Sequence, residues 1–187
     1  MSVTEEQVKR VRQQAICLYS EEQVEQAIAK LAREITDHFR DRNPLILCVM
    51  NGGLILTGKL LTKLDMSLQV DYLHASRYRG KTSGGELNWL AKPQHTLKNR
   101  AVLVVDDILD EGITLHAIME FCKHENASEV RSCVLVEKEH DRKHGYEHAD
   151  FTGLVVEDKY VFGYGMDYKG YLRNAPGIYA VKDEADY

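Results

Sequence analysis

Residues Val102–Thr114 read VLVVDDILDEGIT, and this stretch decides the fold. An unbroken apolar run, Ala101 to Val105, leads into three carboxylates within five residues, Asp106, Asp107 and Asp110, and then into Gly112 and Thr114. A second apolar pattern follows at Leu115, Ile118, Met119 and Cys122. The first run is short, valine-rich and without polar alternation, the pattern of a strand buried on both faces of a parallel sheet. The expected order is therefore strand, loop, helix. In open α/β sheets the loop at the carboxyl end of such a strand is where ligands bind. Backbone amides from Asp110 to Thr114, with the Thr114 hydroxyl, suit a phosphate at a helix start, where unpaired N–H groups and the dipole favour anions. The Asp106–Asp107 pair would repel that phosphate. A magnesium ion, or a hydroxyl-rich group such as a ribose, reconciles the two.

Outward from this motif, Leu45 to Met50 (LILCVM) is a second continuous apolar run. It passes into Asn51-Gly52-Gly53 and a helical stretch from Leu54 to Leu64. Paired glycines allow a ligand to approach the backbone, although a tight turn without a ligand has the same pattern. Gln69 to Leu73 reads as a strand. After it, SRYRGKTSGGE (76–86) is a long, cationic, glycine- and serine-rich loop, suited to a mobile lid or to a solvated hairpin tip. Glu86 to Ala91 returns as a strand, closed by Pro93.

Ser132 to Val136 is a third buried-strand candidate. The polar stretch Glu137 to Asp150 carries His140, His144 and His148, whose spacing of four would suit metal ligands on one helix face. Gly145 interrupts such a helix and the surroundings are charged, so a solvated connection is expected there. Leu154 to Val156, Lys159 to Phe162 and Ile178 to Val181 are short strands. At the other end, Thr4 with Gln7 and Ser20 with Gln23 fit capping boxes that open two successive helices. The second presents Val24, Ile28, Leu31, Ile35 and Phe39 as one stripe and stops at Asn43-Pro44. Strands alternating with helices predict an α/β, doubly wound, mainly parallel sheet.

A chain of 187 residues with 44% hydrophobic and 28% charged residues suits one globular unit, here 1–187, with flanking segments at about 1–43 and 151–187. A formal charge of −5 supplies no basic excess for nucleic acid. Four dispersed cysteines without CxxC spacing, three in apolar surroundings, read as reduced residues of a cytoplasmic protein. MSVTEEQVKRVRQQ has no apolar stretch of a signal peptide, and no segment approaches a membrane span.

Taken together, the segments from Leu45 to Val181 resemble, in order, the type I phosphoribosyltransferases, and among them the hypoxanthine-guanine phosphoribosyltransferases. VLVVDDILDEGIT is similar to that family's signature for phosphoribosyl pyrophosphate (PRPP). MNGG (50–53) resembles its pyrophosphate loop, SRYRG its lid, and DKYVFGYGMDY (158–168) with Arg173 its C-terminal purine and pyrophosphate segment. The resemblance implies a small hood built from the chain ends, a mobile lid, and transfer of the phosphoribosyl group of PRPP to a 6-oxopurine with Mg2+. Asp106 and Asp107 would take the ribose hydroxyls, directly or through metal. Asp110 would be the catalytic carboxylate beside purine N7. Glu111, Gly112, Ile113 and Thr114 would hold the 5′-phosphate, and Asn51, Gly52, Gly53 and Arg173 the pyrophosphate. Ser76, Arg77 and Tyr78 would belong to the lid. Lys138, Lys159, Tyr160, Val161 and Asp167 would form the purine site, with Asp167 also a metal ligand beside Asp106 and Asp107.

Glu111 stands where many relatives have Thr or Ser, and its charge has to point away from the phosphate. A lysine donating to the C6 oxygen would reject adenine, which lacks it. The implied partners are PRPP and the purine, with no nucleic acid and no membrane, and a second copy of the chain in a homodimer or homotetramer. Two other readings fit the same fold: a xanthine-preferring enzyme, and a nucleotide-sensing regulator of transcription. The acidic balance and the retained Asp110, Tyr78 and Lys159 favour an enzyme.

Overall fold

The structure, a computed structural model, describes residues 3–77, 87–143 and 145–182. Its elements run α1 (Glu5–Gln14), β1 (Ile16–Ser20), α2 (Glu21–Phe39), β2 (Leu45–Val49), α3 (Leu54–Leu61), β3 (Gln69–Arg77) and β4 (Leu87–Ala91). They continue with β5 (Ala101–Leu109), α4 (Ile113–His124), β6 (Glu129–Glu139), β7 (Phe151–Glu157), β8 (Val161–Phe162) and β9 (Gly177–Ala180). A six-stranded sheet has the order β4-β3-β2-β5-β6-β7, parallel except for β4 at the edge. The chain winds outward from β2 through α3 to β3, and from β5 through α4 to β6 in the opposite direction. β2 and β5 are direct neighbours, in register from Leu45↔Val102 to Cys48↔Val105. The loops leaving their carboxyl ends therefore part from each other, and the crevice between them is the topological switch point where open α/β sheets bind ligands.

Burial on both faces explains the unbroken apolar runs. Leu103 and Val105 pack with α2 and α3, whereas Val102 and Val104 pack under α4. The α2 stripe of Val24, Ile28, Leu31, Ile35 and Phe39 is completely buried, each side chain stabilising the fold by at most about 1.5–3 kcal/mol. One difference from the sequence reading bears on the site. Asp106 and Asp107 still belong to β5, because pairing with β6 continues to Leu109↔Glu137. The ligand loop accordingly starts at Asp110.

A second, three-stranded antiparallel sheet, β1-β9-β8, joins the chain ends into the expected hood. Its core is Phe162, Tyr168, Leu172, Ala175 and Val181 with Val11 of α1. The two capping sites do open helices, but a strand, Ile16–Ser20, intervenes where two helices in succession were expected. It pairs with β9, Ile16 opposite Ala180, a partner that no local periodicity reveals. Of the two capping boxes only the second is complete. Ser20 Oγ accepts from the Gln23 amide at 3.3 Å and Gln23 Oε1 accepts from the Ser20 amide at 2.9 Å. Thr4 Oγ1 accepts from the Gln7 amide, but the Gln7 side chain donates instead to Tyr168 Oη at 3.0 Å, tying α1 to the hood.

The hood meets the sheet where Gly165, at φ +112°, lies against the Gly52 carbonyl, so that an added Cβ would overlap that oxygen. Gly165→Ala is expected to lower stability by roughly 1–3 kcal/mol. Urea denaturation tests this, and an unchanged midpoint would contradict the close approach. Among the described residues no helix is long and apolar enough to cross a membrane.

Candidate active site

The carboxyl ends of β2 and β5, the start of α4 and the segment after β8 enclose a cleft of about 560 Å³, a size suited to a small-molecule ligand. At its floor Asp106 and Asp107 stand side by side. The Asp107 amide donates to Asp106 Oδ1 at 2.9 Å, and Asp107 is 9% exposed. Burial raises the proton affinity of both carboxyls. The charge of Asp107 raises Asp106 further, well above the usual carboxylate range, while Arg173 pulls both down without cancelling the rise. This is a site in want of positive charge or of hydroxyl donors. Asp107 reaches its place only because residue 52 is glycine: a Cβ there would overlap the Asp107 carboxylate.

Arg173 is braced toward this floor. Its Nη1 donates to the Gly165 carbonyl at 2.6 Å and lies 3.9 Å from Asp107 Oδ2, and its Nη2 lies 2.6 Å from Asp167 Oδ1. Asp167 Oδ2 in turn accepts from the Gly170 amide. Arg173, Asp167 and the Asp107 carboxylate thus share one edge of the cleft.

α4 begins at Ile113 behind Gly112, which is left-handed at φ +80°, and the helix carries no side-chain cap. The first-turn amides border the cleft, whose lining includes Asp110 to Leu115. Glu111 turns its charge aside, its Oε1 lying 3.8 Å from Arg142 Nη1.

Asp110 stands between this helix start and the end of β6. Lys138 Nζ, on a side chain 11% exposed, lies 3.0 Å from Asp110 Oδ2. His140 Nε2, on a ring 5% exposed, lies 2.7 Å from Asp110 Oδ1. Burial alone would raise the Asp110 carboxyl, but Lys138 and then His140 outweigh it and hold the group below the ordinary carboxylate range. It is therefore ionised at neutral pH, as an acceptor of protons must be.

A sequence model of the phosphoribosyl transferase domain matches residues 17–169. The chain belongs to the phosphoribosyltransferase family. The hypoxanthine-guanine-xanthine phosphoribosyltransferase of Tritrichomonas foetus is 33% identical over 166 residues, 89% of this chain and 91% of that protein. The hypoxanthine-guanine phosphoribosyltransferase of Bacillus subtilis (strain 168) is 32% identical, over 88% and 92% of the two chains. A solved hypoxanthine phosphoribosyltransferase from Staphylococcus aureus superposes with a TM-score of 0.85 at 26% identity, over 91% and 92% of the two chains. This phosphoribosyltransferase is an enzyme, and its relatives are those of the hypoxanthine-guanine branch.

The remaining residues of the phosphoribosyltransferase cleft divide in two. Asn51, Gly52, Tyr160, Val161, Asp167 and Lys138 line it with the motif residues. Tyr160 stands edge-on to Tyr168, with centroids 5.7 Å apart, and its Oη accepts from the Lys169 amide. Two expected residues do not line it. Gly53 packs behind the lining against the Val105 carbonyl, and the Lys159 ammonium lies 2.9 Å from Glu157, outside the lining. Tyr78, expected in the lid, lies outside the described residues, while Ser76 and Arg77 end β3 opposite Asn88 and Leu87.

His140 is an exception to the solvated reading of its segment, in which Asp141, Arg142, Glu147 and His148 are exposed. The row of three histidines led away from it, since its partner is Asp110 rather than His148, which pairs with Glu137. Among the described residues, ligand atoms of Asp110, His140 and Asp158 lie within 4.8 Å of one another. Lys138 Nζ already lies 3.0 Å from Asp110 and 3.8 Å from Asp158, and Arg142 Nη2 lies 2.5 Å from Asp158. The cluster is thus neutralised by the chain's own cations. The crowded, under-compensated pair Asp106–Asp107, with Asp167 near it, suits a divalent cation better.

Proposed function

We propose that this enzyme is a purine salvage phosphoribosyltransferase that joins hypoxanthine or guanine to PRPP, yielding the nucleoside 5′-monophosphate and pyrophosphate. The observation that carries this reading is the ionised Asp110, held between an uncapped helix start and the nearly buried Lys138. Purine N9 attacks C1 of the ribose, the C1–O bond breaks, and its electron pair leaves with pyrophosphate. Asp110 takes the proton that N7 gives up and faces the positive charge developing across base and ribose.

Asp106 and Asp107 bind the ribose hydroxyls, and the amides from Glu111 to Thr114 with the Thr114 hydroxyl bind the 5′-phosphate. Asn51, Gly52 and Arg173 receive the pyrophosphate end, Arg173 with two nitrogens fit to grip paired oxygens. Tyr160 stacks on the base, the Val161 backbone meets its edge, and Lys138 donates to the C6 oxygen. Bound magnesium, held by Asp106, Asp107 and Asp167, would supply compensation for the charge of pyrophosphate.

The same reading treats the segments 1–43 and 151–187 as flanks of one catalytic unit. It places the protein in the cytoplasm, in keeping with four free cysteines, and in a homodimer or homotetramer, supported by the exposed Val70, Tyr72 and Leu90 at one sheet edge. The regulator reading loses ground to relatives that are enzymes. Incubation with hypoxanthine, PRPP and magnesium is expected to release nucleotide and pyrophosphate in equal amounts, and more slowly once magnesium is chelated. Folded protein that forms no nucleotide from hypoxanthine or guanine would overturn the proposal.

A further inference from the structure

His140 touches no substrate in the scheme above, yet its ring is almost fully buried against the reacting carboxylate. Its two nitrogens have different partners. Nδ1 lies 3.1 Å from the backbone amide of Arg142. A backbone N–H can only donate, so Nδ1 must be the unprotonated nitrogen. Nε2 lies 2.7 Å from Asp110 Oδ1, an acceptor, so Nε2 carries the proton. The Arg142 amide thereby selects one neutral tautomer, as the hydrogen bond at one ring nitrogen sets the state of the other. The Arg142 loop is itself anchored, its guanidinium 2.5 Å from Asp158 Oδ2 and 3.8 Å from Glu111 Oε1.

Lys138 and His140 thus hold the two oxygens of Asp110 separately, Oδ2 by the lysine and Oδ1 by the histidine. Resting on the function proposed above, a purine that draws the Lys138 ammonium to its C6 oxygen loosens one of these holds. We propose that His140 is a positioning residue: a neutral Nε2–H donor that keeps Asp110 Oδ1 fixed while Lys138 turns to the purine, leaving Oδ2 aimed at N7. A neutral donor suits this task, since it steers the carboxylate without adding a second full charge that would weaken it as a base. The charged groups around the pair are Lys138 on β6, Asp158 just after β7, Arg142, and Glu111 beside α4.

The test compares wild type, His140→Ala and His140→Gln in steady-state assays with hypoxanthine across pH, together with 15N spectra of the wild-type imidazole. Glutamine can donate to Asp110 and accept from the Arg142 amide. His140→Ala is expected to lose roughly 10- to 100-fold in kcat with the KM for PRPP little changed. Its acid limb should move to higher pH, because Asp110 loses a donor to its ionised form. His140→Gln is expected to recover most of the rate and the wild-type limb. The spectra should show the neutral Nε2–H tautomer at neutral pH. An active wild type whose alanine variant matches it in kcat and pH profile overturns this proposal alone. A wild type inactive toward every 6-oxopurine overturns the function and this role with it. Should the alanine variant fail to fold, an Nδ1–H tautomer or an imidazolium at neutral pH, or a glutamine variant as slow as an inactive one, overturns the proposal.

Discussion

Asp110→Asn is expected to lower kcat by roughly 10²–10⁴-fold, the span of general base catalysis, while PRPP binding changes by no more than about twofold. An amide is nearly isosteric with the carboxylate and leaves the cleft its shape. It cannot take the N7 proton, and it turns an NH2 group toward either Lys138 or His140, both of them donors to this residue. The ribose and phosphate contacts sit on Asp106, Asp107 and the α4 start, which the change does not touch. Single-turnover rates and equilibrium PRPP binding, measured on the same preparation, separate the two effects. A variant with the wild-type rate would remove Asp110 from the chemistry. Lys138 and His140 depress the Asp110 carboxyl against the opposing effect of burial. Activity that depends on the ionised form is therefore complete at neutral pH and is lost only as pH falls below the ordinary carboxylate range.

Lys138→Met is the second large effect, with kcat/KM for hypoxanthine expected to fall roughly 10²–10³-fold. Methionine keeps the length and apolar stem of the side chain, so the packing around the end of β6 survives. Two interactions disappear: the donor to the C6 oxygen, and the cation 3.0 Å from Asp110 Oδ2. Loss of the cation leaves burial less opposed, so the acid limb of the pH profile should move upward. Loss of the donor should also narrow the preference for hypoxanthine over adenine, because an ammonium that meets an acceptor at C6 of hypoxanthine meets another donor, the amino group, at C6 of adenine. The ratio of kcat/KM for the two bases checks this directly. A variant that keeps the full preference would move the C6 contact to another residue.

The strands at Leu45, Ala101 and Ser132 were legible because burial on both faces leaves a purely local mark, an apolar run without alternation. The two ligand loops followed from the same runs, since carboxylates and glycines stand at their carboxyl ends, but the switch point between them rests on the pairing of β2 with β5, which no local pattern carries. What escaped the sequence depends on residues far apart in the chain. β1 is a strand because β9 lies beside it, Ile16 opposite Ala180. Asp110 meets Lys138 and His140 because β5 and β6 pair in parallel with Leu109 opposite Glu137, which brings the residues just beyond to one height. Without that register, His140 belonged only to a row of histidines in a polar stretch. Lys159, placed with the purine site by motif, has its ammonium 2.9 Å from Glu157, a neighbour two residues away. The concern over Glu111 is met by a group no motif includes, Arg142.

Phosphoribosyl transfer to a 6-oxopurine is tested by one set of initial rates, with PRPP and magnesium held saturating and hypoxanthine, guanine, xanthine and adenine offered in turn. Nucleotide is expected from hypoxanthine or guanine, with kcat/KM for adenine lower by roughly 10³-fold or more. Adenine used as readily as hypoxanthine, or no nucleotide from any of the four by folded protein, would contradict that expectation.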